Sequence, residues 1–194
     1  MIFATNNKHK LEEVQAMLGN SVKVAGLSEL DFFEEIPETA DTLQGNALQK
    51  AQFIHQRFDN DCFADDTGLE VDCLNGAPGV FSARYAGEPT NSEKNIDKLL
   101  AEMEKSSDRS AQFRTVIALI QGSDIQYFDG IIRGKIATER YGSGGFGYDA
   151  VFIPEGYNKT FAELSAEEKN SISHRGRAVK KLVEFLSKQR FLQD

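Results

Sequence analysis

The chain has little of what several common kinds of site require. Its two cysteines, Cys62 and Cys73, form neither a C-x-x-C pair nor a zinc-ligand pattern with histidine. No G-x-x-x-x-G-K-[ST] sequence occurs, which excludes a Walker phosphate-binding loop. No apolar run approaches the length that spans a bilayer, and residues 1–4 are too few for the apolar part of a signal peptide. We therefore expect a cytoplasmic protein with reduced thiols and no membrane partner.

The chain also has fewer basic than acidic residues. Thirty acidic against 22 basic side chains give a formal net charge of -8 at pH 7. A negative overall field disfavours binding to nucleic acid, so an anionic ligand must be attracted by a local cluster of cations. The 194 residues are 40% hydrophobic, with four prolines and no low-complexity tract. They fit a single globular domain over residues 1–194.

Strand and helix patterns alternate early in the chain, and strands cluster in its middle. An apolar segment at 2–5 precedes a helical pattern from Leu11, and residues 43–58 have a second apolar stripe with Asp41 or Thr42 as N-cap. Residues 113–120 and 125–136 predict a hairpin, and 165–168 match a capping box before the last helix. These patterns predict an α/β fold with a mixed sheet.

The stretch GSGGFGYDAVF at 142–152 contains a G-x-G-x-x-G pattern. That pattern indicates a dinucleotide-binding loop only where a strand precedes it and a helix follows it. Here an apolar run at 148–153, closed by Pro154, predicts a strand instead. The sequence therefore excludes a Rossmann loop, and the glycines need another role.

Asp65 and Asp66 follow the short apolar strand predicted at 62–64. Because successive strand side chains point to opposite faces, one carboxylate can face a cleft while the other supports it. Glu34, Glu35 and Glu38 lie upstream, and Mg²⁺ requires only one or two protein carboxylates beside phosphate oxygens and water. The alternative is an Asx turn with Gly68 at a positive φ.

Two further segments contain polar groups at predicted helix starts. Residues 5–10 (TNNKHK) lie where a strand turns into a helix, so backbone amides and two lysines could bind an anion there. The alternative is a solvated helix start. Residues 171–175 (SISHR) fall near the start of the last helix, and a lone His-Arg pair of this kind usually lies on the surface.

These segments together resemble a known enzyme family. The ordered set is ATNNKHKLEEV (4–14), PET (37–39), TLQGNALQKA (42–51), FADDTGLEVDCLNGAPGVFSARYAG (63–87), GSGGFGYDAVF (142–152) and AELSAEEKNSISHRGRA (162–178). It closely resembles the inosine triphosphate pyrophosphatase family, which hydrolyses nonstandard purine nucleoside triphosphates such as ITP, dITP and XTP. The matching motifs cover nearly the whole chain in the family's order.

The resemblance implies an elongated mixed β-sheet flanked by helices that form two lobes, with the active-site cleft between them. It also implies a Mg²⁺ requirement, a homodimer, and release of the monophosphate and pyrophosphate. Asp66 matches the catalytic acid and, with Glu38, the metal site, and Asp65 matches a supporting neighbour. The residues that match substrate-binding positions are Thr5, Asn6, Asn7, Lys8, His9, Lys10, Lys50, Thr67, Phe146, Gly147, Tyr148, Asp149, Lys169, His174 and Arg175.

Three positions depart from the family's usual residues: Thr67 replaces serine, Asn6 glycine and Ala150 proline. None removes a charged group. Within the base pocket that the resemblance implies, Phe146 offers a face for stacking, and the His174–Arg175 segment offers donors to the O6 acceptor of a 6-keto purine. Two rivals remain open: a pyrophosphatase of the Maf type that acts on modified pyrimidines, and a nucleotide-binding sensor without turnover.

Overall fold

The chain folds as an α/β protein with a mixed sheet. The computed structural model describes residues 1–19 and 22–191. The strands of this part of the chain are β1 (Ile2–Phe3), β2 (Ala25–Gly26), β3 (Cys62–Val71), β4 (Ser110–Gln121), β5 (Asp124–Ile136) and β6 (Phe152–Pro154). Their order in the sheet is β2-β1-β3-β4-β5-β6. β1 pairs in parallel with β2 and β3, whereas β6 is antiparallel to β5, which confirms the predicted mixed sheet.

The helix predicted at 43–58 is confirmed, and the helical pattern from Leu11 lies in a helix that begins at Lys8. The helices are α1 (Lys8–Leu18), α2 (Leu43–Phe58), α3 (Ser92–Glu102), α4 (Ala166–Ile172) and α5 (His174–Phe191). Thr42 caps α2 by accepting a hydrogen bond from the backbone N of Gly45 at 3.0 Å. Ser165 is the N-cap of α4, in the predicted capping box. None of the helices in the described residues is long and apolar enough to cross a membrane.

The residues cluster into two compact units. The first comprises Met1–Asp66, Thr115–Gly130 and Arg175–Asp194, and the second comprises Thr67–Arg114 and Ile131–His174. Each has its own apolar core, and β3, β4 and β5 contribute residues to both. The single domain over residues 1–194 and the cleft between two lobes stay predictions.

Both faces of the sheet are buried in the first unit. Phe3 and Phe63 stack with ring centroids 4.6 Å apart, in a cluster that includes apolar residues of α1 and α5. Their chain neighbours Ile2 and Cys62 belong to a different cluster, which includes apolar residues of α2. Since side chains alternate along a strand, β3 presents every second residue to α1 and α5 and the others to α2. This alternation determines where the acidic pair points.

The second unit packs around aromatic rings of β4, β6 and the segment after β6. Phe113 contacts Phe152 with ring centroids 4.7 Å apart, and Phe161 lies 5.2 Å from Phe152 by the same measure. Ile96 and other apolar residues of α3 complete this core. It supports the glycine-rich stretch described below.

Two strand predictions were wrong in their bounds. β3 runs without interruption from Cys62 to Val71, so Asp65 and Asp66 lie inside a strand rather than after one, and Gly68 is not at a positive φ. A Cβ on Gly68 would lie 2.7 Å from the carbonyl oxygen of Gly79, which explains glycine there without an Asx turn. The strand predicted at 148–153 begins only at Phe152, because hydrogen bonds three and four residues back hold 148–151 in a turn.

Candidate active site

Asp65 and Asp66 have side chains on opposite faces of β3. Asp65 continues the alternation of Phe63 and contacts residues of α1 and α5, whereas Asp66 continues that of Ala64 and contacts residues of α2. The two acids are only 2% and 7% exposed. Buried charges are costly unless they are paired, and both carboxylates have charged or amide partners. Thr67, the next residue of the strand, is partly exposed.

Asp66 is held by two side chains that lie one turn apart on α2. The Asn46 amide donates to Asp66 Oδ2 at 3.2 Å, and the Lys50 ammonium lies 3.3 Å from Asp66 Oδ1. The same ammonium donates to Glu38, so it bridges the two carboxylates. Burial raises the pKa of Asp66 above its ordinary value, against the opposing charges of Lys50 and Lys10. A raised pKa makes this carboxylate a better proton acceptor near neutral pH.

Asp65 belongs to a chain of ion pairs in the first unit. Lys10 Nζ lies 3.0 Å from Asp65 Oδ1, and Arg175 donates to Asp65 Oδ2 through Nη2 at 3.2 Å. Arg175 Nη1 reaches Glu13 Oε2 at 2.6 Å. Burial alone would raise the pKa of Asp65, but the charges of Lys10, Arg175 and Lys50 outweigh it and hold the pKa well below its usual range. Asp65 therefore stays ionised and orients its cations.

Arg175 lies in a buried network of ion pairs. Its guanidinium is buried against Asp65 and Glu13, and its role in the nucleoside pocket stays a prediction. Glu13 lies in the matched segment 4–14 but was given no role, although it follows Lys10 by three positions and so shares a face of α1. The four-residue spacing of Asn46 and Lys50 is the corresponding signal on α2. Helical spacing places each of these residues beside a lysine, but it does not show which acid the pair contacts.

Residues 5–10 connect β1 to α1 and include the first residues of the helix, as predicted. Asn7 is the N-cap of α1, and its Oδ1 accepts from the backbone N of Lys10 at 3.1 Å. Thr5 Oγ1 accepts from the backbone N of Asn7 at 3.2 Å. The exposed side chains of the segment are Asn6, Asn7, Lys8 and His9. One lysine, Lys10, turns inward to the acidic strand while Lys8 faces solvent, and binding of an anion at this helix start stays a prediction.

The glycine-rich stretch is a turn that leads into β6, which confirms that it is not a dinucleotide-binding loop. We call residues 141–150 the glycine loop. Gly145 and Gly147 have φ of +70° and +61°, a region that side chains other than glycine rarely adopt. A Cβ on Gly145 would lie 2.1 Å from Asp149 Oδ2. Glycine is required there because the backbone approaches a carboxylate.

Asp149 connects the glycine loop to α4. Its Oδ2 accepts from the backbone N of Phe146 at 2.8 Å and from Lys169 Nζ at 2.7 Å. Lys169 Nζ also lies 4.9 Å from the centre of the Phe146 ring, within cation–π range. Asp149 and Lys169 are both buried. Three of the predicted base-pocket residues thus come together in the second unit, although their contact with a base stays a prediction.

Tyr148 and His174 pack into the core of the second unit. The Tyr148 hydroxyl donates to the carbonyl oxygen of Ser82 at 2.9 Å, and burial raises its pKa, so the phenol stays protonated. The His174 ring stacks on Phe113, with centroids 4.5 Å apart and planes 15° from parallel. Neither side chain is more than 5% exposed. Both side chains therefore contribute to the packing of the second unit, apart from any contact with a substrate.

The pair Glu38 and Asp66 suits a Mg²⁺ ion. The Lys50 ammonium already bridges their carboxylates, so the two acids are arranged to share one cation. Mg²⁺ binds through one or two carboxylates and completes its octahedron with water and phosphate oxygens. Within residues 1–19 and 22–191, no group of three or more His, Cys, Asp or Glu side chains could hold a metal. The donor set therefore fits a cation that shares its coordination with a phosphate ligand.

Comparisons with known proteins identify close relatives. The model of the Ham1 family matches residues 1–185. A dITP/XTP pyrophosphatase of Porphyromonas gingivalis is 58% identical over 187 residues, covering 96% of each chain. One from Flavobacterium psychrophilum is 53% identical over 185 residues, covering 95% of this chain and 97% of the relative. The solved structure of the Staphylococcus aureus Ham1 protein superposes with a TM-score of 0.88 at 40% identity, covering 97% of this chain and 98% of that one.

Proposed function

Because this chain belongs to the Ham1 family, we propose that it is a nucleoside-triphosphate pyrophosphatase that acts on nonstandard purine nucleotides. Its substrates would be ITP, dITP and XTP, hydrolysed to the monophosphate and pyrophosphate with Mg²⁺. Relatives at 53% and 58% identity are named dITP/XTP pyrophosphatases. Their similarity extends over at least 95% of this chain, which supports the same reaction here.

The observation that carries the proposal is the pairing of two lysines with two adjacent buried acids on β3. Lys10 pairs with Asp65 and Lys50 with Asp66. A triphosphate offers oxygens that can replace carboxylates as partners of both ammoniums, which would leave the acids available for water and metal. Asp66 would then accept a proton from the attacking water, because Asn46 orients it and burial raises its pKa. Asp65 would position Lys10 for the phosphates.

Glu38 and Asp66 are the residues that would hold Mg²⁺. When bound, the ion neutralises charge on the phosphates during attack at the α-phosphorus. Lys10 and Lys50 would hold the pyrophosphate that leaves, because charge develops on it as the bond breaks. Thr5, Asn7 and the backbone amides at the start of α1 would bind further phosphate oxygens.

The second unit would bind the base. We propose that Phe146 stacks on the purine, with Lys169 and His174 donating to a 6-keto oxygen. Adenine has an amine at this position, so the same donors would face another donor and remain unpaired. Stacking and donor contacts of this kind allow ITP and XTP and disfavour ATP. Guanine shares the keto group, so its exclusion requires crowding at the 2-amino group.

The experiment that tests this function is pyrophosphate release by the purified protein from ITP, XTP, GTP and ATP, each with Mg²⁺ and with EDTA. Metal-dependent release from ITP and XTP, with little from ATP or GTP, is the expected result. Release of orthophosphate would move the cleavage away from the α-phosphorus. Absence of release, with nucleotide still bound, would favour the sensor. A homodimer is also proposed, and sedimentation equilibrium tests it separately.

A further inference from the structure

A short turn after β6 clasps the glycine loop. We call residues 160–163 the clasp. The backbone N of Thr160 donates to Glu163 Oε2 at 2.8 Å, and the backbone N of Glu163 donates to the carbonyl oxygen of Thr160 at 3.0 Å. These reciprocal bonds close the turn on itself. Phe161, inside the clasp, is buried in the aromatic core of the second unit, so the turn is anchored as well as closed.

The clasp hydrogen-bonds the glycine loop at three separate points. Thr160 Oγ1 donates to the carbonyl oxygen of Tyr141 at 2.8 Å, at the start of the loop. The backbone N of Gly144 donates to the carbonyl oxygen of Ala162 at 3.0 Å, in the middle. The backbone N of Ala162 donates to the carbonyl oxygen of Asp149 at 3.1 Å, near the end. Only the first of these bonds depends on a side chain.

The loop and the clasp are too close for side chains between them. A Cβ on Gly142 would lie 2.6 Å from the carbonyl oxygen of Ala162, and one on Gly144 would lie 2.9 Å from the same atom. Glycine at these positions therefore serves contact with the clasp, whereas Gly145 serves contact with Asp149. Gly142 and Gly144 therefore allow the loop to pack against the clasp, and the Phe146 ring of the same loop is the one proposed to stack on the base.

We propose that Thr160 is a positioning residue for purine recognition, acting through the glycine loop without contacting the nucleotide. Its hydroxyl fixes the start of the loop, and with the loop fixed the Phe146 ring is held ready for a 6-keto purine. This inference rests on the proposed function. Thr160 is fully buried and its hydroxyl also lies 3.1 Å from Glu163 Oε2, so it is committed to the clasp rather than to solvent.

Thr160 would act by preorganisation, that is, by ordering the glycine loop before the nucleotide binds. A loop that is ordered before binding loses less conformational freedom when a ligand arrives, and the saved entropy appears as affinity. Valine has nearly the shape of threonine but no hydroxyl, so Thr160→Val removes the bond to the Tyr141 carbonyl and the contact with Glu163 Oε2 without opening a cavity. The cost should fall on binding of the base, because the phosphate-facing residues Lys10 and Lys50 belong to the first unit.

The test compares Thr160→Val with Thr160→Ser, which keeps the hydroxyl, and with Thr90→Val, the same change at an exposed position. For each protein, kcat and KM would be measured with ITP, together with the inhibition constant of tripolyphosphate, which has phosphates but no base. Hydrogen exchange of the backbone amides of the glycine loop would be measured without nucleotide.

For Thr160→Val we expect KM for ITP to rise about tenfold, the order of one hydrogen bond, while kcat and the tripolyphosphate constant change less than about twofold. The amides of Gly144 and Phe146 should exchange faster, and Thr160→Ser should restore both readouts. Wild-type KM and exchange in Thr160→Val would overturn the inference. So would an equal loss of affinity for ITP and tripolyphosphate. If the wild-type protein released no pyrophosphate, the proposed function would fail, and unchanged loop exchange would still refute the clasp separately.

Discussion

The Lys50 ammonium lies 3.3 Å from Asp66 Oδ1 and also donates to Glu38, so one lysine pairs with both acids of the proposed metal site. Burial would lower the pKa of Lys50, but Asp66 and Glu38 outweigh it and raise the pKa, so the lysine stays charged. A divalent cation that binds these acids must therefore compete with an ammonium. Phosphates would ease that competition by giving Lys50 a new partner, which couples metal binding to nucleotide binding.

Replacement of Lys50 by methionine should strengthen metal binding in the absence of nucleotide. The change keeps the length of the side chain and removes the competing charge, so we expect Mg²⁺ or Mn²⁺ to bind at least about tenfold more tightly. Turnover should fall, because a phosphate partner is lost. Calorimetric titration of the metal alone measures the affinity, and Lys94→Met removes an equal charge from an exposed position of α3 as the control. Equal affinity in Lys50→Met and wild type would contradict this competition.

Asp66→Asn should abolish most turnover and leave nucleotide binding. The amide keeps the size of the side chain but cannot accept the proton of the attacking water, so we expect kcat to fall by about two to four orders of magnitude. Pyrophosphate release and binding of ITP should be measured on the same preparation. Asp124→Asn changes an exposed acid of β5 and should behave as wild type. Normal turnover in Asp66→Asn would remove Asp66 from the catalytic role.

His174→Phe should reduce discrimination between ITP and ATP while preserving the fold. Phenylalanine retains a ring that can stack on Phe113, as His174 does at 4.5 Å, and removes the imidazole nitrogens. We expect the ratio of kcat/KM values for ITP and ATP to fall by about one to two orders of magnitude, since loss of one recognising donor relaxes specificity. The melting temperature shows whether the core is intact. An unchanged ratio in a stable variant would show that His174 does not read the keto group.

Arg175→Met should destabilise the protein strongly. The guanidinium is 2% exposed and pairs with Asp65 and Glu13, so its removal leaves the buried Asp65 and the partly buried Glu13 short of a partner. We expect a loss of about 3–5 kcal/mol in the free energy of unfolding, measured with urea. Arg57→Met is the matched control, because Arg57 forms an exposed pair with Glu34 at 3.7 Å and should contribute less than about 1 kcal/mol. Similar losses in the two variants would contradict the buried network.

The two cysteines should differ in reactivity and in their effect on pH-dependent stability. Cys62 is fully buried and donates to the carbonyl oxygen of Ala51 at 3.1 Å, and burial raises its pKa to about 12. An unfolded thiol titrates near pH 8.5. The stability that Cys62 contributes is therefore fully present below about pH 8.5 and is lost as the pH rises toward 12.

Two measurements check this. Thiol reagents at pH 8 should label Cys73, which is partly exposed, and should reach Cys62 only after denaturation. In urea unfolding, the wild-type protein should lose more stability than Cys62→Ala between pH 8 and pH 10. Rapid labelling of Cys62 in the native protein, or parallel pH profiles for the two proteins, would contradict the raised pKa.

The sequence predicted the elements of the fold well because each has a local signal. The helix of residues 43–58 has an apolar stripe and the Thr42 cap, and both signals depend only on neighbouring residues. The strand at 148–153 was predicted too long. Its apolar residues resemble a strand and outweighed the local signals of the turn, which are the positive φ of Gly147 and the Asp149 carboxylate. The clasp, which also bonds to Asp149, lies outside any short window.

The acidic pair shows the same limit at the site. Alternation along a strand correctly predicted opposite faces for Asp65 and Asp66, since that rule is local. Which helix each acid would face could not be predicted, because it depends on how α1, α2 and α5 pack against the sheet. Glu13 and Asn46 were missed for this reason. A helix position three or four residues from a motif lysine shares a face with it, but its contacts cannot be known until the partner strand is in place.

The internal pairing of Lys10 with Asp65 and Lys50 with Asp66 also has a consequence for the end of the catalytic cycle. Any pyrophosphate held by these lysines has to compete with carboxylates that are anchored within hydrogen-bonding distance. When pyrophosphate leaves, the Asp65 and Asp66 carboxylates would pair with Lys10 and Lys50 again. A resting site that regenerates its own counterions in this way would release pyrophosphate readily, and accumulated product would inhibit it only weakly.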